Sequence, residues 1–177
     1  MIYYNSRYLS EKLGINLAKW KRWSREFLDP DPLGGLQSGV TRQYSLRDAF
    51  KVYFGGYLVN TLKFTIPEAL TIISDLTPWL RANGFFSLDT KLRQSDQSAR
   101  PIHHLYICTL GNLQFAYAIR TIIRLDKGGQ IEEQQTELYS VALINANTDP
   151  LSAGICTSAE VVVLSVLYNR FCKQIMQ

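Results

Sequence analysis

Four cations fall within seven consecutive positions, Lys19, Lys21, Arg22 and Arg25, interleaved with Trp20 and Trp23. Guanidinium and ammonium groups bind phosphate, and arginine can also make paired hydrogen bonds to guanine in a DNA groove. The cations are not spread evenly along the chain. From Met1 to Lys63, ten Lys and Arg stand against five Asp and Glu, although the whole chain carries only +4. The excess positive charge therefore sits at one end, beside a near-neutral remainder. That asymmetry is the electrostatic footprint expected of a nucleic-acid-binding segment.

Other chemistries find little support. His103-His104 is the only histidine pair. Adjacent residues of a strand point to opposite faces, so the two are poorly placed to share a metal. Cys108, Cys156 and Cys172 are odd in number and widely spaced, with no CxxC pair. They signal neither a disulfide framework nor a zinc site, and fit thiols in a reducing cytoplasm. Glu132-Glu133 lies beside Gly128-Gly129 and reads as a solvated hairpin tip. No phosphate-cradling glycine loop, nucleophile elbow or metal-ligand spacing is present. The expectation is a protein without catalytic residues, cofactor or metal. The N-terminus lacks a basic start followed by an apolar run, and no stretch is apolar enough to span a bilayer. A cytoplasmic protein without a membrane partner is expected.

The elements that must position these cations follow from caps and periodicity. Ser6 is expected to cap a first helix through Lys12, with Tyr8, Leu9 and Leu13 at helical spacing. Gly14 breaks it. Asn16 caps a second helix over Leu17–Glu26, with Leu17, Trp20 and either Ser24 or Phe27 inward. Two short helices on a glycine turn make a helix-turn-helix. Asp29-Pro30-Asp31-Pro32 ends the second helix, and the glycine-rich stretch from Leu33 to Tyr44 suits a small hairpin. Ser45 with Asp48 predicts a capped third helix to about Leu62, in which Gly55-Gly56 marks either a close packing point or a break. Thr65 and Pro67 start a fourth helix, Ile66 to Leu80.

A polar connector separates this part from a β-rich one. Residues 1–82 are read as one domain, 83–101 as a connector and 102–177 as a second module. Ile102–Cys108, Leu113–Arg124 and Gln134–Asn145 are expected strands of an antiparallel meander. A last helix, Ala159–Gln174, is expected to bury Val162, Val166, Leu167 and Phe171 and to cover one face of the sheet. The other face is left for a second subunit, so a homodimer is expected. Whether a small-molecule effector binds is left open. The fold class is α+β, a helical winged helix-turn-helix followed by a small β-meander with a C-terminal helix.

The first eighty residues resemble the DNA-binding domain of the MerR family. The resemblance rests on Tyr4-Asn5-Ser6-Arg7-Tyr8-Leu9-Ser10-Glu11-Lys12-Leu13-Gly14-Ile15, then on Trp20-Lys21-Arg22-Trp23-Ser24-Arg25-Glu26-Phe27-Leu28, and on Gly39-Val40-Thr41-Arg42-Gln43-Tyr44-Ser45 at the end of the wing. Leu62-Lys63-Phe64-Thr65-Ile66-Pro67-Glu68-Ala69 is similar to the start of the family's fourth helix. The family's long dimerising helix has no counterpart, and a polar connector and strands stand in its place. The resemblance implies sequence-specific binding of double-stranded DNA by a bacterial or phage transcriptional regulator. It places Arg22 and Lys19 at base edges, and Lys21, Arg25, Arg42 and Tyr44 at phosphates, with Tyr8 as a further backbone contact. Trp20 reads as core, while Trp23 is open between core and base stacking. The alternatives are an architectural, excisionase-like or packaging protein on DNA, and a protein-interaction adaptor without DNA binding.

Overall fold

The computed structural model describes residues 3–31, 41–86, 101–127 and 134–177, with side chains described for all of these except 124–127 and 134–137. Residues 33–40 of the stretch Leu33 to Tyr44 expected to form a hairpin, most of the 83–101 connector and residues 128–133 lie outside the described residues. The chain is α+β, with two antiparallel sheets. It divides into two compact units: Met1–Leu88 with Tyr168–Gln177, and Asp89–Leu167.

The first unit opens with strand β1 (Tyr4–Asn5), which pairs antiparallel with β2 (Gln43–Tyr44) in the register Tyr4 to Tyr44 and Asn5 to Gln43. Helix α1 (Ser6–Leu13) follows directly. Its cap is Asn5 rather than Ser6, since Asn5 Oδ1 accepts the Tyr8 amide at 2.8 Å. Ser6 is instead buried, with its hydroxyl 3.0 Å from that of Tyr44. Gly14 closes α1 at φ +64°, and the Ile15 amide donates back to the Ser10 carbonyl at 2.9 Å. This left-handed closure favours glycine because it has no Cβ to clash.

Helix α2 (Leu17–Phe27) is capped by Asn16, whose side chain accepts from the Ala18 and Lys19 amides. Helices α3 (Leu46–Asn60) and α4 (Ile66–Ala82) each begin with a reciprocal capping box, Ser45 with Asp48 and Thr65 with Glu68. Gly55-Gly56 does not break α3. It is the place where α2 lies against α3, with Phe27 over Gly55 and Trp23 over Gly56. Trp20, Phe50, Phe54, Leu58, Ile72, Leu76 and Leu80 fill the core. The end of helix α5 (Leu164–Met176) completes it, with Tyr168 and Phe171 packing on Phe50 at ring separations of 4.8 and 5.3 Å. Among the described residues no helix is long and apolar enough to cross a membrane.

The second unit is a four-stranded antiparallel sheet in the order β5-β4-β3-β6. The expected meander is β3 (Ile102–Gly111), β4 (Gln114–Lys127) and β5 (Gln134–Ile144). The fourth strand, β6 (Ala159–Val163), corrects the helix expected from Ala159. Three consecutive valines favour a pleated half-buried surface over a helix, and β3 offers them a free edge. Leu105 stands opposite Val162 in that pairing. The helix begins only at Leu164, and its buried residues are Leu164, Leu167, Phe171, Cys172 and Ile175. Val166, expected inside, is 54% exposed. From Tyr168 onward the helix belongs to the first unit.

Candidate nucleic-acid interface

Helix α2 has two unlike faces. Trp20, Trp23, Ser24 and Phe27 are buried, and Ser24 Oγ donates to the Trp20 carbonyl at 2.9 Å. Lys19, Lys21, Arg22, Arg25 and Glu26 are exposed. The aromatic face packs closely on α3, with Phe27 against Gly55 and Trp23 against Gly56. The cations project from the exposed side of this eleven-residue helix, and not all in one direction.

Beside that row lies an open cleft of about 610 Å³, lined by Ser6, Lys21, Ser24, Arg25, Thr41, Arg42 and Tyr44 among others. A second hollow of about 380 Å³ adjoins it at Ser6, Lys21 and Thr41 and adds Asn5, Arg7 and Leu17 to the wall. Arg7, Lys21, Arg25 and Arg42 thus line one continuous concave surface between α1, α2 and the approach to β2. Asp31 is the acidic residue on that wall. Neither Lys21, Arg22, Arg25 nor Arg7 makes an ion pair or side-chain hydrogen bond to another described residue.

The residues expected at the site divide into three kinds. Lys21, Arg25 and Arg42 come together on the cleft. Arg42 is held in place, with Nη2 donating to the Asp29 carbonyl at 2.7 Å and its guanidinium 5.8 Å from the Tyr44 ring centre. A guanidinium has five N–H donors, so most remain for a ligand. Arg22 is exposed on α2, outside the cleft wall. Lys19 leans the other way, with Nζ 2.6 Å from Asn60 Oδ1 and 5.0 Å from the centre of the Trp23 ring.

Two expected contacts are corrected. Tyr44 is only 1% exposed, and its hydroxyl meets Ser6, so it cannot reach a phosphate; it supports Arg42 from below. Tyr8 donates its hydroxyl to the Ile175 carbonyl at 2.6 Å, which makes it a tether for the end of α5. Trp23 is 6% exposed and belongs to the core rather than to base stacking. Arg7 was not among the expected residues. Its signal lay in Tyr4-Asn5-Ser6-Arg7: the strand pairing of Tyr4-Asn5 brings the start of α1 beside Thr41, which sequence spacing does not display.

Other cations of this unit are less suited to binding phosphate. Lys51 is half-buried, and burial together with the nearby Arg47 pulls its ammonium below the usual lysine range. In the second unit His103 is buried, with Nδ1 2.8 Å from Thr121 Oγ1, and burial followed by the charge of His104 lowers its basicity. No family model, no curated protein and no solved structure matches this chain.

Proposed function

We propose that α1 and α2 form a helix-turn-helix, that the segment leading into β2 is its wing, and that the chain binds double-stranded DNA sequence-specifically as a transcriptional regulator. One observation carries this reading. Two exposed cations of α2, Lys21 and Arg25, line a concave surface together with Arg7 and Arg42, and neither makes an ion pair or side-chain hydrogen bond to another described residue. An eleven-residue helix is about 16 Å long, and the major groove is wide enough to admit one. With α2 in the groove, Arg22 reaches base edges while Lys21, Arg25, Arg42 and Arg7 meet the flanking phosphates. Phosphate contacts fix register, and base-edge contacts select sequence. The order of the MerR-like segments supports the same assignment of helices and wing. The role is one of binding, with no group assigned to catalysis.

The test is retention of duplex fragments from a mixed pool across a salt series, with Arg22→Ala and Arg25→Ala beside the unaltered chain. Release of counterions makes affinity fall steeply with salt. Arg25→Ala is expected to weaken all fragments alike and to reduce the salt slope by about 1. Arg22→Ala is expected to change which fragments are preferred, by about 1–3 kcal/mol at one base pair. No retention at low salt would overturn the reading.

A further inference from the structure

Strand β5 is the outer strand of the second unit's sheet, with β4 along one side from Gln134 to Ile144 and no strand on the other among the described residues. Its outward main-chain groups are those that accept an added strand. Exposed strands normally carry lysine, proline or inward charge to prevent this. In Gln134–Ile144 there is no proline and no lysine, and Glu137 is the only charged residue. The side chains flanking the edge are instead apolar: Leu138, Tyr139 and Val141 are 51%, 67% and 52% exposed. Leu138 and Val141 lie on opposite faces of the sheet, so both faces of the edge are apolar.

We propose that this edge pairs with β5 of a second copy of the chain, antiparallel and about a two-fold axis near Ser140, joining two four-stranded sheets into one. The sequence of the strand favours a copy of itself as occupant. Centred on Ser140, the pairing sets Tyr139 opposite Val141 and Leu138 opposite Ala142. Aromatic against β-branched is a stabilising cross-strand combination. Glu137 falls opposite Leu143 and never opposite its own copy, so no like charges meet. The other outer strand, β6, is a poorer candidate. It has five residues, includes the exposed Glu160 and turns directly into α5. The seam stands on the strand alone. Its consequence for DNA, two half-sites read by one dimer, rests on the reading of the preceding subsection.

Sedimentation velocity of the full chain over a concentration series tests the pairing. The unaltered chain is expected to reach twice the 20.2 kDa chain mass. Leu138→Lys and Val141→Glu are each expected to return it to 20.2 kDa with an unchanged far-ultraviolet spectrum. Val141 stands opposite Arg120, so a glutamate there is accommodated within the single chain. Val161→Lys, on β6, should leave the dimer intact. A chain that is monomeric throughout overturns the proposal, as does loss of the dimer in Val161→Lys but not in the β5 variants. Duplex retention measured on the same samples separates the two readings. A dimer that ignores DNA keeps the seam and sinks the DNA reading, whereas a monomer that binds DNA does the reverse.

Discussion

The two units dispose of their surfaces in opposite ways. The first exposes Lys21, Arg22, Arg25 and Arg7, none of which makes an ion pair or side-chain hydrogen bond to another described residue. The second holds Arg120 in a 3.2 Å ion pair with Asp149 and over the Tyr106 ring, and turns Leu138, Tyr139 and Val141 outward along a strand edge. Free cations suit a polyanion, whereas an apolar strand edge suits another protein strand. On the two proposals above, contact with nucleic acid falls to the first unit and contact with a second copy to the other.

Loosening the face that holds α2 is expected to have the largest effect. A methyl group added at Gly56 would fall inside the van der Waals shell of the Trp23 ring, and one at Gly55 would sit 2.6 Å from Phe27 Cδ2. Alanine gains roughly 1 kcal/mol of helix propensity over glycine, but overpacking a buried contact costs about 1–3 kcal/mol or more. Gly56→Ala is therefore expected to destabilise the first unit by about 2 kcal/mol. Trp20, Trp23 and Trp79, the chain's three tryptophans, all lie in that unit. Their fluorescence in a denaturant titration reads it separately from the sheet. A midpoint unmoved by the substitution would mean that α2 is not fixed by this contact.

A smaller effect belongs to the second unit. His103 and His104 are the only histidines, and both lie in the sheet. Burial, then the charge of His104, depresses the pKa of His103 below its ordinary 6.5. Its contribution to stability is present above about pH 6.5, and is lost as pH falls from there through the folded-state value. The sheet should lose stability on mild acidification before its carboxylates titrate. An imidazole resonance of His103 that titrates at or above 6.5 in the folded chain would refute this.

How much of this was legible in the sequence follows from how local each signal is. The capping boxes at Ser45 and Thr65, the break at Gly14 and the cap at Asn16 are each written within four residues, and the helices stand where those residues put them. Charge on α2 was legible for the same reason. What escaped depends on partners distant in sequence. Tyr44 looks like a surface tyrosine beside an arginine until β1 pairs with β2 and Ser6 takes its hydroxyl. Tyr8 finds its acceptor 167 residues away. Residues 159–163 sit next to a helical pattern, and only the open edge of β3 makes them a strand. Trp23 was undecided because a tryptophan beside cations serves equally to stack or to pack. The glycine pair one helix away decides it for packing.

The least conspicuous difference between the units concerns a thiol. Cys108 lies on β3, fully buried, and burial raises its pKa from 9.0 to about 12, aided by the hydrogen bond and charge of Cys156. A raised folded-state value means stability that is complete below about pH 9 and is lost as pH rises from 9 toward 12, because only the unfolded thiol ionises in that window. The thiolate is the species that is alkylated, so the raised value slows alkylation of the folded Cys108 near pH 8. Cys172 is also buried, while Cys156 is partly exposed. Iodoacetamide at pH 8 should therefore modify Cys156 first and reach Cys108 only as the sheet opens. Labelling of Cys108 then becomes a clock for opening of the second unit, as tryptophan fluorescence is for the first. If Leu138→Lys separates the copies and exposes the β5 edge, Cys108 should label faster in that variant than in the unaltered chain, since a sheet that ends at β5 frays more readily than one that continues through it. Equal rates for Cys108 and Cys156 in the folded chain would show that β3 is not the closed interior strand described here.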